Sequence, residues 1–185
     1  MCVIMAQPAG VTIKDSVLEA GWWTNPDGGG IGYIKGGAVV IEKGFMQLGN
    51  FMDAKRRLDL DGKPALFHFR IRTHGLGDAE RTHPFNVEGN AVAHNGIISC
   101  VEDDDVLSDT QIFLARYPKI FSDKERLKKN KESLATYIGW SKLAVMFPDG
   151  EFVFVNESMG KWIDGAWYSN TYWKAATSNP RTSLA

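Results

Sequence analysis

Two cysteines stand in the chain, Cys2 and Cys100. Only the first occupies a position where a lone thiol can act without a second residue as its base. Removing Met1 would leave cysteine as residue one, with its free α-amine a few ångströms from its own thiol. The α-amine has a pKa of about 7.7–8.0 and the thiol one of about 8.5, so the amine can take the thiol proton near neutral pH, directly or through a water. One residue then supplies both nucleophile and base, as threonine does with an N-terminal amine. Methionine removal is expected before a residue as small as cysteine. Cys100 has no α-amine of its own and cannot work this way. The plainer reading of Cys2 is a small buried hydrophobe on a first strand, and the residue alone does not choose between the two.

Further groups capable of chemistry follow in order. They are Asn25-Pro26-Asp27-Gly28-Gly29-Gly30-Ile31-Gly32-Tyr33, Phe69-Arg70-Ile71-Arg72-Thr73-His74-Gly75 and Thr82-His83-Pro84-Phe85, then Ala93-His94-Asn95-Gly96-Ile97-Ile98 and Ser108-Asp109-Thr110. The glycine run lacks the lysine and Ser/Thr of a phosphate-binding P-loop, which rejects a nucleotide site there. Asn95-Gly96 also reads as a type I′ hairpin turn between 91–94 and 97–99.

The elements that must hold these groups are mostly short strands divided by glycine-rich turns. Cys2 to Ala6 reads as a strand, and 31–34 with 38–42 as a hairpin around Gly36-Gly37. From Ala65 to Arg72 apolar and polar residues alternate, which predicts a half-buried strand with Arg70 and Arg72 on one parity. Strands follow over 91–94, 142–147 and 151–155, the last two flanking the turn Pro148-Asp149-Gly150. Ser108 and Gln111 have the spacing of a capping box and predict a helix from about Asp109 to Tyr117, stopped by Pro118. One or two helices are expected over 123–140, and another over 46–58, where Gly49 interrupts the pattern. The tail from about residue 176 reads as frayed. No internal repeat or linker breaks the chain, so residues 1–185 are expected to form a single domain of mixed α and β class.

Composition narrows the function classes. The chain has 185 residues, 44% hydrophobic and 23% charged, with a formal net charge of -1. That length can bury a full core, and the balance of charge gives no electrostatic footprint for nucleic acid or an anionic membrane. The basic run from Lys124 to Lys131 reads as a solvated helix face, balanced by the acids from Glu102 to Asp105. Two cysteines are too few for a disulfide framework or a cysteine metal site, so no metal is expected. The apolar run after Met1 ends at Gln7-Pro8-Ala9-Gly10 with no basic residue before it. A secretory signal is therefore not expected, nor any span of the roughly 20 apolar residues a membrane requires. A reducing cytoplasm is the expected location, where a free thiol persists.

Taken together, the nucleophile position and the ordered segments resemble the glutaminase domain of the class II glutamine amidotransferases, a branch of the N-terminal-nucleophile hydrolases. The closest resemblance is to compact, stand-alone members that carry an N-P-D-G-x-G segment. The resemblance implies an α+β fold, a four-layer αββα sandwich of two antiparallel sheets with helices outside. It implies glutamine as substrate, Cys2 as nucleophile, and an oxyanion site made by the Asn95 side-chain amide and the Gly96 N–H. Asparagine offers a directed NH2, and glycine lets the backbone come close. Arg70 matches the position that grips the substrate α-carboxylate, for which a guanidinium fork is suited, with Arg72 as its competitor. Asp109 matches the acid that pairs with the α-ammonium, and it would equally serve as a favourable charge in the first turn of a helix. Thr73 and His74 are implied contributors around the substrate, and His83 is expected to line the pocket. His68 and His94 read as structural. Ile71 stands where the family often has an aromatic residue over the substrate.

The reaction implied is hydrolysis of the glutamine side-chain amide through a thioester on Cys2, with no cofactor. Ammonia would pass to a separate partner enzyme, since 185 residues hold no synthase domain beside a glutaminase. Two alternatives stand beside it. One is an amidase for another γ-glutamyl or amide substrate, and the other a catalytically inactive binding or regulatory protein that keeps the fold.

Overall fold

The fold was read from a computed structural model, which describes residues 1–71, 79–99 and 107–177. Arg72, Thr73, His74 and Cys100 lie outside those residues, as do Glu102 to Asp105 and the tail beyond 177. Among the described residues, ten strands form two antiparallel sheets. The first sheet contains β1 (Val3–Gln7), β2 (Gly29–Lys35), β3 (Ala38–Phe45), β4 (Ala65–Phe69), β9 (Lys161–Ile163) and β10 (Ala166–Tyr168), in the order β3-β2-β4-β1-β10-β9. The second contains β5 (Phe85–Val87), β6 (Asn90–Asn95), β7 (Lys142–Met146) and β8 (Phe152–Val155), in chain order. Helices α1 (Asp15–Thr24) and α2 (Leu48–Leu58) pack on the first sheet. Helices α3 (Asp109–Arg116), α4 (Lys124–Lys129) and α5 (Lys131–Ile138) pack on the second.

Side-chain alternation explains the layering. On β1, Val3 and Met5 join Leu18, Trp22, Phe51, Phe67 and Phe69 under the first helices. The intervening Ile4 and Ala6 join Leu66, Ala91, Ala93, Ala144, Met146 and Trp167 between the sheets. On β6 and β7, Val92, Leu143 and Val145 turn the other way, toward Phe113, Leu127 and Leu134. Both parities of each central strand are therefore buried, as a four-layer αββα sandwich requires. The half-buried β4 expected from its alternation is corrected here: all five of its residues are buried. His68 and Arg70 made one parity look solvated, yet that parity faces the second sheet.

The glycines of β2 serve this contact. A Cβ on Gly32 would come within 2.9 Å of the Ala91 methyl, and one on Gly30 within 2.4 Å of the His83 carbonyl oxygen. The run is a close-packing surface between layers. Asn95-Gly96 is not a hairpin turn either, because β6 ends at Asn95, pairs there with Lys142 of β7, and residues 97–99 form no strand.

The helix over 109–117 forms as expected. Ser108 accepts from the Gln111 N–H while the Gln111 side chain accepts from the Ser108 N–H, at 3.2 and 3.0 Å. The expected partners of the basic run, Glu102 to Asp105, lie outside the described residues, but other acids pair with it. Lys124 pairs with Asp149 and Glu151, Lys128 with Glu125, and Lys131 with Glu157. No helix among the described residues is long and apolar enough to cross a membrane.

Candidate active site

Cys2 precedes β1, which is the strand between β4 and β10 in the first sheet. Its carbonyl accepts from the Asn170 side-chain amide at 2.7 Å. Its thiol lies 3.7 Å from the Ile71 carbonyl oxygen. Burial pushes the thiol pKa up, opposed by that carbonyl contact, by the N-terminal ammonium and by the Arg70 charge. A thiol held up in this way is protonated at neutral pH, so attack requires a base at the moment of reaction.

Asn95 closes β6 and is fully buried on the inter-sheet face. Its Nδ2 donates to the Ser169 Oγ at 2.7 Å. The same Ser169 Oγ accepts from the Ile4 N–H at 2.9 Å, and the Ser169 N–H donates back to the Ile4 carbonyl at 3.0 Å. One serine thus ties β1, the strand that follows Cys2, to the asparagine. An amide nitrogen carries two hydrogens, and the second is left for an acceptor in the cleft. Gly96 follows with φ +145, and a Cβ there would fall 2.1 Å from the Ser141 Oγ. Only glycine can bring β6 and the start of β7 this close with that backbone.

Cys2, Asn95 and Gly96 line one cleft of about 460 Å³. Its wall continues through Ile71, Ile97, Tyr137, Ile138, Trp140 and Ser141. Neither Arg70, Asp109 nor His83 lines it.

Arg70 follows β4, held by its backbone. Its N–H donates to the Gly28 carbonyl at 2.8 Å, and its carbonyl accepts from the Asp27 N–H at 3.0 Å. The Asn-Pro-Asp-Gly segment therefore works as a clamp on the arginine. The side chain is buried, and its Nη1 has no hydrogen-bond partner among the described residues. A buried guanidinium nitrogen without an acceptor is costly, and a ligand carboxylate would relieve it.

Asp109 opens α3. Its Oδ2 accepts from the Ile98 N–H at 2.7 Å, and its Oδ1 accepts from the Thr110 N–H and hydroxyl at 2.7 and 3.2 Å. The Thr110 Oγ1 also lies 2.7 Å from the His94 Nδ1. With the threonine proton given to Asp109, the histidine must donate at Nδ1. The carboxylate is fixed by three donors and retains acceptor capacity.

His68, His83 and His94 pack as one buried group. The His68 Nε2 donates to the His94 carbonyl at 3.1 Å, and the His68 and His83 rings meet edge-on at 4.3 Å. Burial holds His68 down to about 3, His94 to about 4, and His83 well below the usual imidazole value. All three are neutral at pH 7. His83, expected to line the pocket, is instead enclosed between His68 and Phe85, and neither ring nitrogen has a partner among the described residues. Among the described residues no group of three or more His, Cys, Asp or Glu could hold a metal ion.

Sequence reasoning missed Ser169, Asn170, Ser141 and Thr110. Thr110 could have been found, since it stands beside Asp109 in a quoted segment. Ser169 and Asn170 carry no local signal, because their partners lie 165 and 168 residues away.

Comparison with known proteins agrees with this architecture. No family model matches the chain. It is 35% identical over 74 residues to the isomerizing glutamine–fructose-6-phosphate aminotransferase of Rhizobium meliloti, a match covering 36% of this chain and 12% of that protein. The enzyme of the same name from Agrobacterium fabrum is 30% identical over 96 residues, covering 52% and 16%. The chain thus spans well under a fifth of these curated relatives. Among solved structures, the glutamine phosphoribosylpyrophosphate amidotransferase of B. subtilis superposes on 96% of this chain and 44% of its own, with a TM-score of 0.62 at 19% identity. A structure described as the allosteric regulatory enzyme of purine biosynthesis gives 0.68 at 20% identity, covering 96% and 43%.

Proposed function

We propose that this chain, a member of the class II glutamine amidotransferases, hydrolyses the side-chain amide of glutamine through a thioester on Cys2 once Met1 is removed. The observation that carries the reading is the cleft shared by Cys2, Asn95 and Gly96. It gathers a thiol and two types of oxyanion donor from positions 93 residues apart or more in the chain.

The freed α-amine takes the thiol proton, and the sulfur attacks the amide carbon. The carbonyl oxygen gains charge and accepts from the second Asn95 Nδ2 hydrogen and from the Gly96 N–H. Such donors act because they are placed before the charge develops. The α-ammonium then gives its proton to the departing nitrogen, and ammonia leaves. Water attacks the thioester, glutamate is released and the thiol is restored. Arg70 takes the substrate α-carboxylate on its unpartnered Nη1, Asp109 takes the α-ammonium, and Thr73 and His74 complete the surround. The ammonia goes to an acceptor enzyme bound as a partner, in keeping with a cleft that opens at the surface.

The test uses protein whose intact mass shows Met1 removed. It should release glutamate from glutamine and form a covalent adduct with a glutamine-like electrophile at Cys2. Cys2→Ala should abolish both, and protein that retains Met1 should be inactive because its α-amine sits in a peptide bond. Processed wild type that forms neither glutamate nor adduct would sink the proposal.

A further inference from the structure

The cleft beside the nucleophile is far larger than ammonia. A molecule of water size occupies about 30 Å³, whereas this cleft measures about 460 Å³ and falls within the range of small-molecule sites. The groups assigned to the α-carboxylate and α-ammonium, Arg70 and Asp109, do not line it. With the amide carbon at Cys2 and the glutamyl end held elsewhere, the part of a substrate that enters this space is whatever the amide nitrogen carries.

The wall on that side is apolar, and the backbone that carries Trp140 is held. Ile97 is 60% exposed and Trp140 is 87% exposed, beside the partly buried Tyr137 and the buried Ile138. Trp140 does not sit on a loose loop. It follows α5 in a tight turn where the Ser141 N–H donates to the Ile138 carbonyl at 3.1 Å. The Asn156 side-chain amide brackets the indole's residue by donating to the carbonyls of Gly139 and Ser141, at 2.8 and 2.7 Å. A solvent-exposed indole carried on a held backbone at the mouth of a site is a surface for an apolar or aromatic group.

We propose that, beside glutamine, the same site cleaves γ-glutamyl amides whose amine bears an apolar or aromatic body, seated against Trp140, Ile97 and Tyr137. This rests on the amide hydrolysis proposed above and extends it to a larger leaving group. The chemistry balances as before. The Cys2 sulfur–carbon bond forms, the carbon–nitrogen bond breaks, the thiol proton reaches the leaving nitrogen through the α-amine, and water cleaves the thioester. The products are glutamate and the free amine. Met1 also lines the cleft, so its removal enlarges the same space.

Processed protein is assayed with glutamine, γ-glutamyl methylamide and γ-glutamyl benzylamide, following glutamate release. Burying a phenyl ring against the wall should raise kcat/KM for the benzylamide about tenfold or more over the methylamide. Trp140→Ala should bring that ratio to about one, and Trp140→Phe should restore most of it. Because Trp140 is so exposed, neither change threatens folding. If glutamine and the methylamide are cleaved but the benzylamide is no better, the inference is overturned. It is equally overturned if Trp140→Ala leaves the ratio intact, an outcome that would assign the indole to a protein partner. If no amide is cleaved at all, the failure belongs to the proposed hydrolysis itself.

Discussion

The layer between the two sheets has two unlike ends. At one end Ala6, Leu66, Ala91, Met146, Phe154 and Trp167 fill it with apolar side chains. At the other, the same strands on the same parity present His68, Arg70, Asn95 and Ser169, all buried. β4 carries Leu66 and His68 and leads into Arg70 just beyond it, and β6 runs from Ala91 to Ala93 and on to Asn95. The site is thus the continuation of the core along its strands, with polar residues substituted at core positions. The dry end supplies rigidity, and the polar end inherits it. A guanidinium and a carboxamide with unpartnered atoms are tolerable there because the packing around them cannot relax.

Substitutions at the two ends should therefore separate stability from chemistry. Leu66→Ala at the dry end should cost about 2–5 kcal/mol of unfolding free energy and leave kcat of the folded fraction near wild type, measured by urea unfolding and assay together. A fall in kcat of the folded fraction as large as the loss of stability would erase the division. Asn95→Ala should do the reverse, lowering kcat by about 10²–10³ with a smaller loss of stability. Ser169→Ala leaves the carboxamide in place but unanchored, so kcat should fall by roughly tenfold with KM little changed. In the Asn95→Ala background the same change should have almost no further effect on kcat, and full additivity would show that Ser169 acts elsewhere.

The smallest expected effect concerns pH. His68, His83 and His94 are held below their unfolded values by burial, so the folded state refuses protons that the unfolded chain accepts. Stability is full above about pH 6.5 and falls as pH drops below it, by about 1.4 kcal/mol per pH unit for each such histidine. His83 has no ring hydrogen bond to lose among the described residues, so His83→Phe should flatten the slope between pH 6.5 and 5 by about one such increment. Urea unfolding at several pH values reads this directly, and an unchanged slope would mean His83 is protonated in the folded chain.

Much of the fold's centre was legible because its signals are local. The capping pair Ser108 and Gln111 announced α3, and Gly36-Gly37 announced the β2–β3 hairpin, whose register runs from Gly29 opposite Phe45 to Lys35 opposite Ala38. Helix α1 gave no such notice, since Lys14 at its N-cap makes no side-chain cap bond and its buried face includes a glycine, Gly21. Strands β9 and β10 have three residues each, too few for a period to declare itself. Within the site, the residue types that do chemistry stood in recognisable segments. The residues that aim them did not, because Ser169 and Asn170 act through contacts that only the closed sheet creates.

That closure also sets an order in time. β1, made before β4 and β10, lies between them, and its fastenings at Ile4 and Cys2 come from Ser169 and Asn170. During synthesis a chain ending before β9 already contains Cys2, Arg70, Asn95 and Asp109, but one edge of β1 is still unpaired. Contacts across such sequence separations form late. Cys2 therefore waits on the residues after β10 for its fastenings, and a chain that stops before them carries Cys2, Arg70, Asn95 and Asp109 without the contacts that hold β1 in place.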